Sequence, residues 1–583
     1  MANILVYIEF SGQLALPASL EALATCRPLA TRLGASLYAI LPCNEPPLYG
    51  EDDLIAKVSR HGADKVVLLT HPTLEPPATF DRQSTSLVNA CRRLLPSLLF
   101  FADTTTGRDL AQGCAAALGA IHLVHPSFHV QNSRWMARQR ATDGSCSTQV
   151  EIKEVGRPLV VLQGPPVETK DRQSNDEAEV VVLSASAGPS RIKLITPLEQ
   201  ERLPGDHRPL ILAGQNVPPQ SINRLRRSSA ALGLRFGVTW SCYDRGQGSI
   251  EEVVGPGIDL PWTNRILLVG AEADPLTIAS LPATAELAMV AAPDSKNMGP
   301  FRNRVRRLLY QDLASFCDVF GPADTSDAAQ DVPLDRSETA TDDSKPADES
   351  ARTLAADTIK PLVIIPSLAE MESVQSAITA AAFFGQPAGL FCGPRDQAQA
   401  VVEAGSFEQI TCLWDDLLAC ADLRAVVHVL ASAMKRLTPS LLLVQDRSQT
   451  WSSGLLGALL AHQLGWPCFS GIVDIRPWQP TAETSPARIE VARMYHTERL
   501  WWRVDLPAVI SVAHIRPTQR PDPKTPHIDV LSFEDLSVSP NDILPLCKTQ
   551  TERISETKTE PTTSPTPKDL LEWLAAQGWI RPR

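Results

Sequence analysis

Two strand–loop–helix segments of this chain carry side chains able to handle a phosphate. The first reads PSLLFFAD (96–103) and continues TTTGRDLAQGCAAALGA (104–120). The second reads PSLLLVQD (439–446) and continues RSQTWSSGLLGALLAHQLGWP (447–467). Each opens on Pro-Ser, runs through a short apolar strand and places Asp103 or Asp446 at the strand's carboxyl end. Each then crosses a hydroxyl-rich loop into an Ala/Leu/Gly helix that ends in Leu-Gly. A helix starting beyond a parallel strand's carboxyl end offers free N–H groups and the positive end of its dipole, which suits phosphate. Thr104–Thr106 add hydroxyls in the first segment, and Ser448, Thr450, Ser452 and Ser453 add them in the second. The same hydroxyls serve equally as helix caps. The second loop is the longer and richer in hydroxyls, so it is the better ligand candidate.

Other chemistries are excluded by what the sequence does not bring together. It has no nucleophile triad, no Walker loop and no paired-carboxylate motif. The 12 cysteines run from Cys26 to Cys547 without a CxxC pair or a Cys/His cluster of metal-ligand spacing, so no metal or iron–sulfur site is expected. They read as reduced thiols of a cytoplasmic protein. His122, His125 and His129 read as core or surface residues. A net charge of −12 provides no basic field for nucleic acid. No apolar run reaches the roughly 18 residues that a membrane span requires, and Glu9 interrupts MANILVYIEF early, which makes that segment a first strand.

The elements that must position these loops read as α/β. With 44% hydrophobic and 5% aromatic residues, the chain suits helices packed on sheets. Residues 1–190 alternate apolar strands (Ile4–Ile8, Leu37–Leu41, Asp64–Leu69, Leu98–Phe101) with helices over Leu20–Leu33 and Leu87–Leu95. Gly34 stops the first of these helices. Segments 150–162 and 179–184 add strands. This pattern predicts a parallel sheet covered on both faces. Residues 208–320 form a second, smaller α/β unit with strands Pro209–Ala213, Arg265–Val269 and Leu287–Ala291, a helix over 219–232 and a long polar loop after it. The stretch from 321 to 354 holds nine acids and three bases with almost no large apolar side chain, so 321–358 reads as a disordered acidic linker. Residues 359–548 restart the α/β pattern with Leu362–Ile365, Gly389–Cys392 and helices over Met371–Phe384 and Leu423–Leu437. Residues 549–567 read as a Thr/Pro/Glu-rich tether, and KDLLEWLAAQGWI (568–580) as an amphipathic helix that docks onto its own protein or onto a partner. The repeated strand–loop–helix unit makes the two large parts duplicated domains, packed about a pseudo-two-fold axis.

These residues resemble the electron-transfer flavoproteins, with an alpha-type and a beta-type subunit fused in one chain. GADKVVLL (62–69), the 104–120 run and GRPLVVLQG (156–164) resemble the alpha subunit's N-terminal domain. SGLLGALLAHQLGWP (453–467) and VDLPAVISV (504–512) resemble the beta subunit. The resemblance implies duplicated parallel-sheet domains and a smaller Rossmann-like domain, residues 208–320, for FAD. Carried over by motif, the FAD residues are Gly214, Gln215 and Asn216, then Gly237, Thr239 and Asp244, then Gly255 and Gly257, then Gly270, Asp294 and Ser295. Several positions depart from the family pattern. Trp240 stands where a flavin-contacting arginine belongs, and Glu272 stands where a pyrophosphate lies close to backbone; a carboxylate there repels phosphate. In the beta half the resemblance implies AMP at Asp446, Ser448, Thr450, Ser452 and Ser453.

Besides an adenine-nucleotide sensor built on Asp446 and the Ser448–Ser453 loop, two functions are open to this chain. In the first the chain is an FAD-bearing electron carrier rather than a substrate-converting enzyme, taking electrons from a flavin dehydrogenase and passing them to a membrane-associated iron–sulfur or quinone-reducing acceptor. In the second it is a non-redox scaffold or accessory subunit that has lost FAD while keeping the fold and adenine-nucleotide binding.

Overall fold

The computed structural model describes the chain from Asn3 to Ile580 except residues 12–13, 45–53, 73, 75–79, 141–145, 154–156, 165–177, 187–189, 196–207, 259–262, 264, 273, 282–284, 296–304, 321–358, 366–370, 394, 405–406, 416–417, 419–421, 447–453, 479–486, 496–497, 517–526, 541–550 and 556–561. The acidic segment 321–358 lies outside the described residues.

Short runs rich in Val, Leu and Ile pair as parallel strands because both faces of such a strand can be buried. The first sheet has seven strands in the spatial order Glu179–Ser184, Lys65–Thr70, Ser36–Cys43, Asn3–Tyr7, Leu98–Ala102, Leu159–Gln163, Ile121–Val124. All its pairings are parallel. Helix Pro17–Leu33 covers it, and Gly34 closes that helix in the left-handed conformation (φ 61°), as its position after the last apolar residue predicts. A ten-stranded sheet repeats this plan. Its strands Gln409–Trp414, Ala388–Gly393, Pro361–Ile365 and Leu441–Gln445 stand in the same order as Lys65–Thr70, Ser36–Cys43, Asn3–Tyr7 and Leu98–Ala102. His527–Leu531 extends one side as Glu179–Ser184 does, and Ala508–Val512 extends the other as Leu159–Gln163 does. The duplication expected from one strand–loop–helix unit therefore runs through six matched strands of each sheet.

The halves also exchange arms. After the first sheet, Ile192–Leu194 pairs antiparallel with Glu498–Asp505 of the second half. Near the C-terminus, in the segment expected as a tether, Thr551–Ser555 pairs antiparallel with Cys146–Glu151 of the first half. The two repeated helices, Thr105–Leu118 and Leu455–Leu464, pack against each other at the centre.

Between them stands a six-stranded parallel sheet ordered Arg235–Val238, Leu210–Ala213, Arg265–Val269, Glu286–Ala291, Val305–Tyr310, Thr562–Thr563. The strand Arg235–Val238 lies in the segment read as a polar loop. The last helix, Pro567–Ala576, docks on this same unit. Thr566 and Asp569 cap it reciprocally, and Leu570, Leu574, Trp579 and Ile580 join a core with Phe316 and Phe320. Leu574 is fully buried. Leu574→Ala should cost roughly 2–5 kcal/mol of stability by leaving a cavity, read as a fall in the thermal midpoint of the full chain, whereas exposed Lys568→Ala should leave the midpoint unchanged.

Candidate functional site

The order of the six-stranded sheet reverses between Leu210–Ala213 and Arg265–Val269, and ligands of such sheets sit outside the carboxyl ends of the strands at that point. The chain brings most of the sequence-predicted middle-domain residues to this place. Gly214 follows the first strand and packs directly on the turn after the second: a Cβ there would come within 2.2 Å of the Ala271 Cα and 2.4 Å of the Gly270 carbonyl. Gly270 (φ 61°) is the residue that lets the backbone turn so close. Asn216 N–H donates to the Gly270 carbonyl at 3.1 Å.

Several donors at this crevice already have carboxylate acceptors. Glu272 Oε1 accepts from Asn216 Nδ2 at 3.0 Å, from the Ala292 backbone N–H at 3.1 Å and from Ser295 Oγ at 2.9 Å. Asp274 accepts from the Gln215 backbone N–H at 2.9 Å and from Ser241 Oγ at 2.5 Å. Burial raises the Asp274 carboxyl above its ordinary range, and these hydrogen bonds pull against the shift. Asp274 was not among the sequence-predicted residues. Its only signal was a second acid two positions after Glu272 in the same turn. Asp294 lies exposed at the rim.

Trp240 closes the neighbouring side. Its indole stacks on His514 of the second half, with ring centroids 4.4 Å apart and planes inclined by 12°. Its Nε1–H donates to the Pro256 carbonyl at 2.9 Å. Thr239 precedes Trp240 as N-cap of the short Trp240–Asp244 helix. Gly237 lies in the strand before it, where a Cβ would come within 3.0 Å of the Val254 side chain. Gly255 is needed beside the indole: a Cβ would come within 2.8 Å of Trp240 Cδ1. Gly257 (φ 77°) lies where a Cβ would come within 2.6 Å of the Ala513 Cβ. Asp244 pairs with His514 at 3.1 Å, and Arg516 donates to the Asp244 carbonyl at 2.6 Å. The second half thus seals the middle unit through His514, Arg516 and Ala513, none of which sequence reasoning named as a site residue.

The first repeated loop and the two strand-end aspartates are engaged inside the protein. Thr104 caps its helix by accepting from Gly107 N–H at 2.9 Å and donates to Glu9 Oε2 at 2.7 Å. Every residue of that helix from Thr105 to Ala116 is buried. Asp103 pairs with Arg108 and with His125 Nε2 (2.8 Å), and Arg108 reaches the Ile258 carbonyl of the middle unit at 3.3 Å. Asp109 pairs with fully buried Arg493 and accepts from Ser470 Oγ. Arg493 lies over the rings of Phe469 and Trp502 at 4.4 and 5.6 Å. Asp446, at the matching position of the second half, accepts from Gly471 N–H at 2.9 Å. Burial pushes the Cys468 thiol well above its ordinary value, and the Asp109 and Asp446 carboxylates add to that. Ser448, Thr450, Ser452 and Ser453 lie outside the described residues. Among the described residues no group of three or more His, Cys, Asp or Glu gathers to hold a metal, and no helix is long and apolar enough to cross a membrane.

The fold and this junction define a duplicated parallel-sheet protein of nucleotide-binding type, with a third, smaller sheet held between the halves. Comparison with known proteins assigns its family: the electron transfer flavoprotein domain matches residues 4–187 and 369–531, more than half of the chain, and the chain belongs to that family. Five strands of the middle sheet fall between the two matched regions, and its sixth, Thr562–Thr563, follows the second. Protein FixB of Azotobacter vinelandii is 29% identical over 187 residues, 31% of this chain and 50% of that protein. Protein FixB of Rhizobium meliloti (strain 1021) is 35% identical over 121 residues, 20% of this chain and 32% of that protein. The chain spans half or less of the length of these curated relatives.

Removing one partner of a buried ion pair strands the other charge. Asp109→Ala should therefore lower stability by roughly 3–5 kcal/mol, and Asp109→Leu combined with Arg493→Met should recover most of the loss. Chemical denaturation of the full chain measures both.

Proposed function

We propose that the chain is a non-redox accessory or scaffold member of the electron transfer flavoprotein family, whose middle unit keeps the fold of a dinucleotide site without holding FAD. The observation that carries this reading is the pair of carboxylates, Glu272 and Asp274, that occupy the backbone and side-chain donors of the crevice. A pyrophosphate needs those same donors and would meet negative charge in their place. Trp240 supports the reading, because at the position matched to a flavin-contacting arginine it supplies a ring stacked on His514 and no cation. The residues present do not fit FAD.

The domain plan of this reading is an alpha-type unit over 1–190, a degenerate FAD-type unit over 208–320, an acidic linker over 321–358, a beta-type unit over 359–548 and a terminal segment over 549–583. The protein works by holding partners of a flavoprotein electron-transfer system, in the cytoplasm. AMP remains the nucleotide that the family resemblance places in the second half, at Asp446 and the loop after it. Heat denaturation of the purified chain followed by mass identification of released nucleotide tests that separately.

The purified full chain should be colourless, release no flavin on denaturation and take up no added FAD. Stoichiometric FAD overturns the proposal. It assigns instead a carrier between a flavin dehydrogenase and a membrane-associated iron–sulfur or quinone-reducing acceptor. Glu272→Ala discriminates further. With Glu272 as an internal partner, its loss should lower stability by roughly 1–3 kcal/mol, since the Ala292 N–H loses its acceptor. If the crevice is a working flavin site, removing this carboxylate should strengthen FAD binding.

A further inference from the structure

We propose that the groove between helix Phe80–Leu94 and edge strand Glu179–Ser184 binds a small molecule carrying an oxyanion, a phosphate monoester or a carboxylate, on an apolar body. A cavity of about 370 Å³ lies here, a size that suits a small ligand. It lies three strands away from Leu98–Ala102 and the junction described above, so it is independent of the crevice of the middle unit.

The lining separates into two chemistries. Leu69, Ala90 and Leu183 form an apolar floor, while Asn89, Arg92 and Arg93 form a polar and cationic rim. On the helix, Ser86, Asn89 and Arg93 stand at i, i+3 and i+7, one continuous stripe. The helix meets its sheet through a different set: Leu87, Val88, Ala90 and Cys91 all enter the core. The polar stripe runs along the edge strand, from buried Ser86 through half-buried Asn89 to exposed Arg93. Ser86 Oγ donates to the Ser186 carbonyl at 2.8 Å and ties the two walls together at one end. Ser184 faces the same space from the strand side.

Arg92 and Arg93 are exposed and have no ion-pair partner among the described residues. Basic residues in a last helical turn complement the helix dipole, which accounts for their charge. It does not account for a cavity whose rim they supply together with an amide. Both residues line this rim, so either guanidinium can meet an oxyanion held there. Their planar forks match phosphate and carboxylate alike. The apolar floor then sets what the oxyanion must be attached to.

The test uses the full chain and three probes: phenyl phosphate, benzoate and inorganic phosphate, titrated calorimetrically at low and moderate salt. Saturable one-to-one binding of phenyl phosphate or benzoate, at least roughly tenfold tighter than inorganic phosphate and weakened by salt, is expected. Tighter phenyl phosphate binding assigns a phosphate ester, and tighter benzoate binding assigns a carboxylate. The double variant Arg92→Gln with Arg93→Gln should lose at least about tenfold in affinity with an unchanged melting temperature. Absence of saturable binding of either aromatic probe overturns the site, and so does unchanged affinity in the double variant. Neither outcome bears on the FAD content of the chain.

Discussion

A guanidinium with no exposure to water needs a fixed anion, and Asp109 supplies one to Arg493 across the seam between the two halves. Both charges sit at the centre of the molecule, so the helix that carries Asp109 can dock in one way only. That helix is buried on every side over its first three turns, and several of its residues after Asp109 are small: Ala111, Gly113, Ala115 and Ala116 let neighbouring backbones approach. One residue earlier, Arg108 turns to the Ile258 carbonyl of the middle unit. Two successive residues thus commit one helix to both of its neighbours. The Asp–Arg contact contributes specificity of docking more than net stability, since a buried ion pair returns little beyond its desolvation cost.

The exchanged arms secure the same seam by backbone pairing. Ile192–Leu194 crosses to the second half and Thr551–Ser555 crosses to the first, each adding an outer strand next to the last strand of the other half's antiparallel extension. An outer strand left bare would present unpaired N–H and C=O groups. Each half's last strand is paired by the other half's chain in a symmetric manner, and the free edge passes to the short added strand. It also explains why the C-terminal segment, though poor in apolar residues until Leu570, does not behave as a tether alone: Thr562–Thr563 and the helix after it complete the middle sheet and its core.

The parallel strands were legible because each is a short, nearly unbroken apolar run, and the strand–loop–helix repeat was legible because it recurs with its Pro-Ser start and terminal Leu-Gly. The arms were not, since pairing between segments more than 300 residues apart leaves no periodic trace. Arg235–Val238 was read as loop because four residues beginning with arginine do not outweigh the polar sequence around them. At the crevice, the motif positions Gly214, Gln215, Asn216, Gly270 and Ser295 lie around the carboxyl ends of the strands. What the sequence could not show is the direction of their hydrogen bonds. That depends on the turn that brings Glu272 and Asp274 back over the strand ends, and on His514 arriving from a distant part of the chain to cover Trp240.

The two acids change the balance at the crevice by more than charge repulsion. A ligand arriving from solution gives up translational and rotational freedom, at a cost of roughly 4–15 kcal/mol. Glu272 is already tethered to the fold and gives up only its own side-chain freedom, on the order of 1–2 kcal/mol. A dinucleotide would have to displace a carboxylate that holds the Ala292 N–H, Ser295 and Asn216 together, and another that holds Gln215 and Ser241. It would then bury its own negative charge beside them. The two intramolecular carboxylates satisfy these donors at the switch point and fix the turn after the second strand. The proposed platform role rests on that internal closure of the crevice.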